Sequence, residues 1–396
     1  MSKAMRKILG CLSAFAMLFT LTLGVIKVRA EDGGENMNAV QGQREEICLN
    51  GVWECQDMPF DEDISALPET FNNTIPVPGL WDLAEKPFSY TKDRETLKGN
   101  YDEVAVWYKK TITFDSAVPA RVTLKIHKAF WGKYVYVNGE FVAEHQPNFT
   151  PAYIDITDYL VGNGQENTLL IKIGDKGTQD FSCGSPTGYD PEKTDFIPGI
   201  YDDVYLICSG EPRIDYVQVA PDIHNAIAKV KLTVSNKSAV DSVSDIQFSV
   251  TDDKGFARQT TLHSVHVASG ETKEIFAEVD MSGFEYWSPE SPKLYTISAQ
   301  TDSDSIEDTF GMREFYFDET TGKPILNGEY RYLIGTNIPF YRFLEDPMRA
   351  DLPWQEDWVR SIFTKFKEMN MSIIRFHCGF VPDFLRIYLY YGQWAL

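Results

Sequence analysis

Tyr330-Arg331-Tyr332-Leu333-Ile334-Gly335-Thr336-Asn337 is followed, after a loop, by Trp354, Trp358, Ile362 and Phe366, and then by Ser372-Ile373-Ile374-Arg375-Phe376-His377. Residues 330–334 read as a buried strand ending at Gly335-Thr336-Asn337. The four large apolar residues recur every four positions and lay a stripe along a helix. Asp351 is a credible cap for that helix, with Pro353 in its first turn, and its end is expected near Asn370. Residues 372–377 read as a second strand, and 382–391 as a second helix before Gly392. Parallel strands need a long crossover, so strand, helix, strand implies a parallel sheet. In a (β/α)8 barrel the site lies at the C-terminal ends of the strands, where Asn337, Arg375 and His377 fall. Such a barrel takes about 250 residues. Only about seventy follow Lys323, so residues 321–396 are expected to be the start of a truncated barrel.

Upstream the period is that of strands. Runs near 214–219, 228–234, 246–251, 260–267, 272–279, 294–299 and 306–314 place seven strands in roughly a hundred residues, the spacing of an immunoglobulin-like sandwich over residues 210–320. Its expected role is that of a brace. His263 and His266 sit three apart on a strand, which by alternation puts them on opposite faces and denies them a shared metal.

Residues 46–209 carry short strands separated by long loops, including 174–203, and read as an antiparallel jelly roll. Strands are expected near 104–114, 168–173 and 204–208. Val122, Leu124 and Ile126 alternate with Arg121, Thr123 and Lys125, giving one buried and one wet face. Of the three Asn-Gly pairs, at 50–51, 138–139 and 327–328, the second lies between alternating runs as a two-residue hairpin requires.

The chain of 396 residues opens with Lys3, Arg6 and Lys7, then an almost uncharged apolar run over 8–26, then Val28-Arg29-Ala30. This is the order of a secretory signal peptide over residues 1–30, cleaved after Ala30. The alternative is an uncleaved anchor. Residues 31–45 are polar and Gly-rich, an expected disordered linker. Loss of the leader takes the formal charge from −21 to −26, which repels phosphate backbones and anionic lipid, so neither nucleic acid nor membrane is an expected partner. Five of the six cysteines lie beyond the leader. Their spacing suggests no metal centre and no disulfide-dense scaffold, although a Cys48–Cys55 bridge is open.

Across the mature chain the segments resemble the N-terminal part of a glycoside hydrolase of family 2, the group of β-galactosidases, β-glucuronidases and β-mannosidases. The resembling pieces are Leu49-Asn50-Gly51-Val52-Trp53, Val77-Pro78-Gly79-Leu80-Trp81, Trp107-Tyr108-Lys109-Lys110 and Val135-Tyr136-Val137-Asn138-Gly139. They continue with Gly199-Ile200-Tyr201-Asp202-Asp203-Val204-Tyr205-Leu206, then the segment from Trp287 to Tyr295, then Phe310-Gly311-Met312-Arg313. Leu326-Asn327-Gly328 then leads to Gly335-Thr336-Asn337. The resemblance implies a sugar-binding jelly roll, an immunoglobulin-like sandwich and a barrel that cleaves β-glycosides with retention, without a cofactor. Retention uses two carboxyl groups about 5 Å apart. In the family these are glutamates on the fourth and seventh barrel strands, so no catalytic residue is expected in this chain.

Carried over by position, Asn337 matches a substrate-side asparagine, and Arg375 and His377 match an arginine and histidine after the second strand. The histidine here follows the arginine by two residues, where the family's follows by three. Asp195 matches an acidic residue that some members extend from the jelly roll into the sugar pocket. Trp131, Tyr189 and Phe196 are candidates for stacking on sugar rings. The expected partner is therefore a β-glycoside. A lectin-like jelly roll and a structural array of sandwiches are the alternatives.

Overall fold

A computed structural model describes residues 25–30, 37–40, 44–59, 67–88, 104–174, 197–344, 348–349 and 352–376. Two antiparallel sandwiches and one β–α–β unit follow one another along the chain.

In the first sandwich, the larger sheet runs Glu140–His145, Lys133–Val137, Glu166–Ile173, Val104–Phe114. Val104–Phe114 also pairs with Gly51–Pro59 near its start and with Val25–Ala30 at its end. The opposing sheet runs Ala152–Asp155, Arg121–Ile126, Val204–Ser209, Glu45–Cys48. Trp53, Trp81, Tyr108, Phe114 and Tyr201 are fully buried between the layers. The 138–139 hairpin is as expected: Asn138 and Gly139 both take positive φ, 52° and 85°, the requirement of a two-residue primed turn. Asn327 and Gly328 do the same between Pro324–Leu326 and Glu329–Tyr330. Asn50-Gly51 makes no hairpin, because the strands on either side belong to different sheets.

Three expectations about this region need correction. The segment expected to be a disordered linker contains the strand Met37–Val40, paired with Val25–Ala30, and the first residue of Glu45–Cys48. Cys48 and Cys55 sit in different sheets and are free thiols, as is Cys208. Burial pushes the Cys55 and Cys208 thiols up to about 12, so they are packing groups and not nucleophiles. The face of Arg121–Ile126 that reads as wet is covered: Arg121 and Thr123 are both 3% exposed. What covers it is the second sandwich. Arg121 pairs with Glu211 and donates to Ser235, and Arg213 donates to the Thr123 hydroxyl.

The second sandwich has all seven expected strands, in sheets ordered Arg213–Asp222, Ile227–Ser235, Thr272–Asp280 and Ala257–Val267, Ser242–Thr251, Tyr295–Gln300, Ser305–Phe310. His263 and His266 do not lie on opposite faces by simple alternation. A bulge where Ser242–Thr251 pairs with Ala257–Val267, with Ser264 at φ 54°, inserts one residue between His263 and His266. Parity is thereby restored and both rings are exposed, His263 beside Asp245 at 2.8 Å and His266 beside Asp241 at 3.1 Å. No group of three His, Cys, Asp or Glu suited to a metal occurs among the described residues.

The β–α–β unit consists of Gly335–Ile338, the helix Glu356–Glu368 and Ile373–Phe376, and its two strands pair in parallel, as the order of elements demands. The first strand is not 330–334. Glu329–Tyr330 turns back on Pro324–Leu326, and Tyr330 and Tyr332 are exposed. The helix begins later than expected, capped at Gln355 after a short 3-10 turn over Leu352–Trp354, and Asp351 lies outside the described residues. Glu356 and Asp357 in the first turn and Lys365 and Lys367 in the last suit the helix dipole. Asn370 ends it at φ 54°, with Met371 N donating to Phe366 O. The described residues hold this single unit and no closed barrel.

Candidate substrate-binding face

The parallel pair sets Gly335 opposite Ile373, Thr336 opposite Ile374, Asn337 opposite Arg375 and Ile338 opposite Phe376. Paired residues share a face and successive pairs alternate. Ile338 and Phe376 therefore turn one way, into the core shared with the first sandwich. The Phe376 ring stacks on Phe340, with centroids 5.9 Å apart, and lies 6.5 Å from Phe363 of the helix. Asn337 and Arg375 turn the other way and are exposed side by side. Arg375 Nη1 lies 3.5 Å from Asn337 Oδ1, the outer limit of a hydrogen bond, so both groups keep most of their bonding capacity.

Local sequence explains the closeness of the strands. A Cβ on Gly335 would collide with the Ile373 carbonyl, and glycine there lets the two backbones approach. Ser372 N and Ile373 N both donate to Ile334 O, at 2.7 and 3.2 Å, and fix the register from its start.

The helix holds this pair against the first sandwich. Val359 and Phe363 are its buried residues, and Trp358 packs edge-on against Phe343 at 5.2 Å. Trp354 Nε1 donates to Tyr201 O at 2.9 Å. Tyr201 is itself held by its hydroxyl, which donates to Ile197 O at 2.6 Å. Beside it the Lys128 ammonium meets Asp202 at 2.7 Å in a buried pair. This Trp354–Tyr201 contact went unread in the sequence, because a backbone carbonyl acceptor carries no residue-type signal.

Of the four sequence-derived site residues, the structure brings Asn337 and Arg375 together. His377 and Asp195 lie outside the described residues, as do Tyr189 and Phe196. Trp131 is 3% exposed with its ring 3.8 Å from that of Phe130, so it is a packing group and offers no face to a sugar. An amide and a guanidinium can bind hydroxyl or carboxylate oxygens. Neither can serve as acid, base or nucleophile near neutral pH. The chemistry available on this face is recognition.

The sequence profile described as glycosyl hydrolases family 2 matches residues 213–313. A β-galactosidase of Thermoanaerobacter pseudethanolicus is 27% identical over 241 residues, which is 58% of this chain and 31% of that protein. A β-galactosidase of Staphylococcus xylosus is 25% identical over 323 residues, 74% of this chain and 28% of that protein. In structure the chain resembles a Bacteroides uniformis β-glucuronidase, with TM-score 0.67 and 19% identity over 88% of this chain and 41% of that one. It also resembles a β-galacturonidase of Eisenbergiella tayi, with TM-score 0.65 and 19% identity over 88% of this chain and 56% of that one. The chain thus spans between about a quarter and somewhat over half of the length of these relatives. It is similar to the N-terminal portion of glycosyl hydrolase family 2 proteins, with the family's profile matched over residues 213–313.

Proposed function

We propose that this chain is the front part of a secreted, retaining β-glycosidase: a jelly roll, an immunoglobulin-like brace and the first two strands of a (β/α)8 barrel. In this reading residues 1–30 direct export and leave after Ala30, and Val25–Ala30 leaves with them. The catalytic glutamates belong to later barrel strands outside this chain, and the chain alone does not hydrolyse.

The observation that carries the reading is the face made by Asn337 and Arg375. Their face is opposite the one that packs toward the helix, so in a closed barrel it would line the interior near the strand ends, where barrel sites lie. There the amide and guanidinium would bind hydroxyls or a carboxylate of the glycoside, each bond to a charged or neutral partner contributing about 1–3 kcal/mol. Galactoside and uronide remain the two substrate classes the resemblance supports.

The test has two arms. Incubated with 4-nitrophenyl β-galactoside and 4-nitrophenyl β-glucuronide, the purified chain should release no nitrophenolate above the blank. The reading frame after the codon for Leu396 should encode further barrel strands, with an Asn-Glu pair and a later glutamate. Turnover by the chain itself, or a frame lacking those strands, overturns the proposal.

A further inference from the structure

We propose that the second sandwich carries a glycan-binding trough, distinct from the Asn337–Arg375 face, that takes an uncharged oligosaccharide. Two clefts open on this domain. One, of about 550 Å³, is lined by Thr251, Asp253, Ser291, Pro292 and Lys293 among others. The other, of about 410 Å³, is lined by Gln218, Asp308, Arg313 and Phe315 among others. Leu294 and Thr309 line both, so the clefts meet there. Each falls within the ~300–1,000 Å³ typical of small-molecule sites.

The lining has the mixed character that a pyranose demands. Hydroxyls, a carboxamide and carboxylates can match sugar hydroxyls, while Pro292, Leu294 and Phe315 offer apolar surface to the C–H faces. Both ends are built rigidly. At one end the buried Lys293 ammonium pairs with Asp252 at 2.5 Å. Burial would raise the Asp252 carboxyl, but Lys293 and the backbone N–H groups of Phe256 and Lys254 hold it down to about 2. At the other end the Arg313 guanidinium lies 4.3 Å over the ring of Trp287, which is 2% exposed. Trp287 is anchored in turn by its N–H to Met312 O at 3.0 Å and by Asn327 Nδ2 to its carbonyl at 2.9 Å. A preformed trough loses little ordering entropy when it binds.

Charge decides the class of sugar. Lys254, Lys293 and Arg313 are balanced by Asp252, Asp253 and Asp308, and the chain as a whole is at −21. A polyanionic glycan would gain no attraction there. The junction of two clefts also favours a chain of sugars over a single ring.

Isothermal titration of the purified chain with cellotetraose, β-1,4-galactotetraose and tetragalacturonate tests this. At least one neutral tetrasaccharide should bind, at least tenfold more tightly than glucose or galactose and more tightly than tetragalacturonate. Thr309→Arg, which blocks the junction, should abolish binding. The milder double variant Gln218→Ala/Asp253→Ala, at two exposed positions, should weaken it about tenfold with the melting temperature unchanged, and decides the matter should the first fail to fold. Asn337→Ala should leave affinity unaltered, which separates this trough from the proposed barrel site. Binding of neither neutral tetrasaccharide, tighter binding of tetragalacturonate, an unaffected double variant, or loss of binding in Asn337→Ala overturns the proposal.

Discussion

Replacement of Lys133 by methionine should stabilise the protein at acidic to neutral pH and lose that advantage as pH rises. Lys133 sits in the strand Lys133–Val137 between His145 and Ile173, and its side chain is fully buried with Nζ donating to Pro147 O at 2.7 Å. Burial pulls its pKa down to about 7, from an ordinary value of about 10.4. Between those two values the unfolded chain holds a proton that the folded chain has released, so stability rises with pH across that window. Below about pH 7 the cost of the buried ammonium is felt in full. At ~1.4 kcal/mol per tenfold, the gap between the two values corresponds to roughly 4–5 kcal/mol. Lys133→Met keeps a flexible stem of similar length and removes the charge. It also leaves the Pro147 carbonyl with only the longer bond from the Thr150 hydroxyl, at 3.3 Å, and losing the ammonium donor costs about 1–3 kcal/mol. The variant should then exceed the parent by about 2 kcal/mol at pH 6, and the difference should vanish or reverse by about pH 10.

Urea midpoints for both proteins from pH 6 to 9.5 provide the assay, and the difference at each pH is the quantity to read. Cys55 and Cys208, whose thiols burial raises to about 12, make both proteins lose stability above about pH 8.5. That opposing slope cancels in the difference. A variant no more stable than the parent at pH 6, or a difference that does not shrink with pH, refutes the reasoning.

Two further outcomes follow from packing. Gly335→Ala drives a methyl group into the Ile373 carbonyl and should separate the parallel strands, read as faster proteolytic cleavage within 331–376 while the two sandwiches stay resistant. Asp304→Ala removes a fully buried carboxylate that pairs with Arg44 at 2.8 Å and accepts from Ile214 N at 2.7 Å; it should cost about 3–5 kcal/mol in urea unfolding, and a loss under 1 kcal/mol would show that the pair contributes little.

The parts of the fold legible in the sequence were those set by local period and turn chemistry. All seven strands of the second sandwich show runs of β-type apolar residues between turn signals, and the Asn138-Gly139 hairpin follows from two positive φ angles that few other residues take. Errors arose where a distant segment decided the outcome. Arg121 and Thr123 look wet because nothing local says that Glu211 and Arg213 will cover them. Tyr330 to Ile334 look like a buried strand, but the 327–328 turn claims Tyr330 for a hairpin and moves the parallel strand to Gly335. On the helix, the stripe read through Trp358 and Ile362 is only half-buried. The deepest positions are Val359 and Phe363, one residue further on, because contact with the first sandwich rotates the buried face. The bulge at Ser264 is likewise invisible to simple alternation. Element order leads to the expectation that Asn337 and Arg375 lie near each other in a parallel unit, and the register of the two strands does pair them, although the first strand starts later than its sequence suggests.

The segments that resemble the family are, in this structure, places where remote parts of the chain meet. Asn50 Nδ2 donates to Asp203 at 2.6 Å and Val204 N donates to Asn50 Oδ1 at 3.1 Å, so the Leu49-Asn50-Gly51 and Asp202-Asp203-Val204 pieces are two halves of one joint. Gly79–Leu80 and Ala129–Phe130 flank Gly199–Ile200 in a single small sheet. Tyr201, next along from that sheet, accepts the indole N–H of Trp354. Trp287 sits under Arg313 and against Gly311, and accepts from Asn327. None of these side chains needs a substrate to explain it. Their common consequence is mechanical: they hold the two sandwiches in shape, and through Trp354, Val359 and Phe363 they seat the helix so that its paired strands keep Ile338 and Phe376 inward. With that face committed to the core, alternation leaves Asn337 and Arg375 on the opposite face, open to bind. The exposed face of Asn337 and Arg375 is thus set by contacts distributed over more than a hundred residues of sequence, and a substitution at Asn50 or Trp354 would act on it only through the seating of that helix.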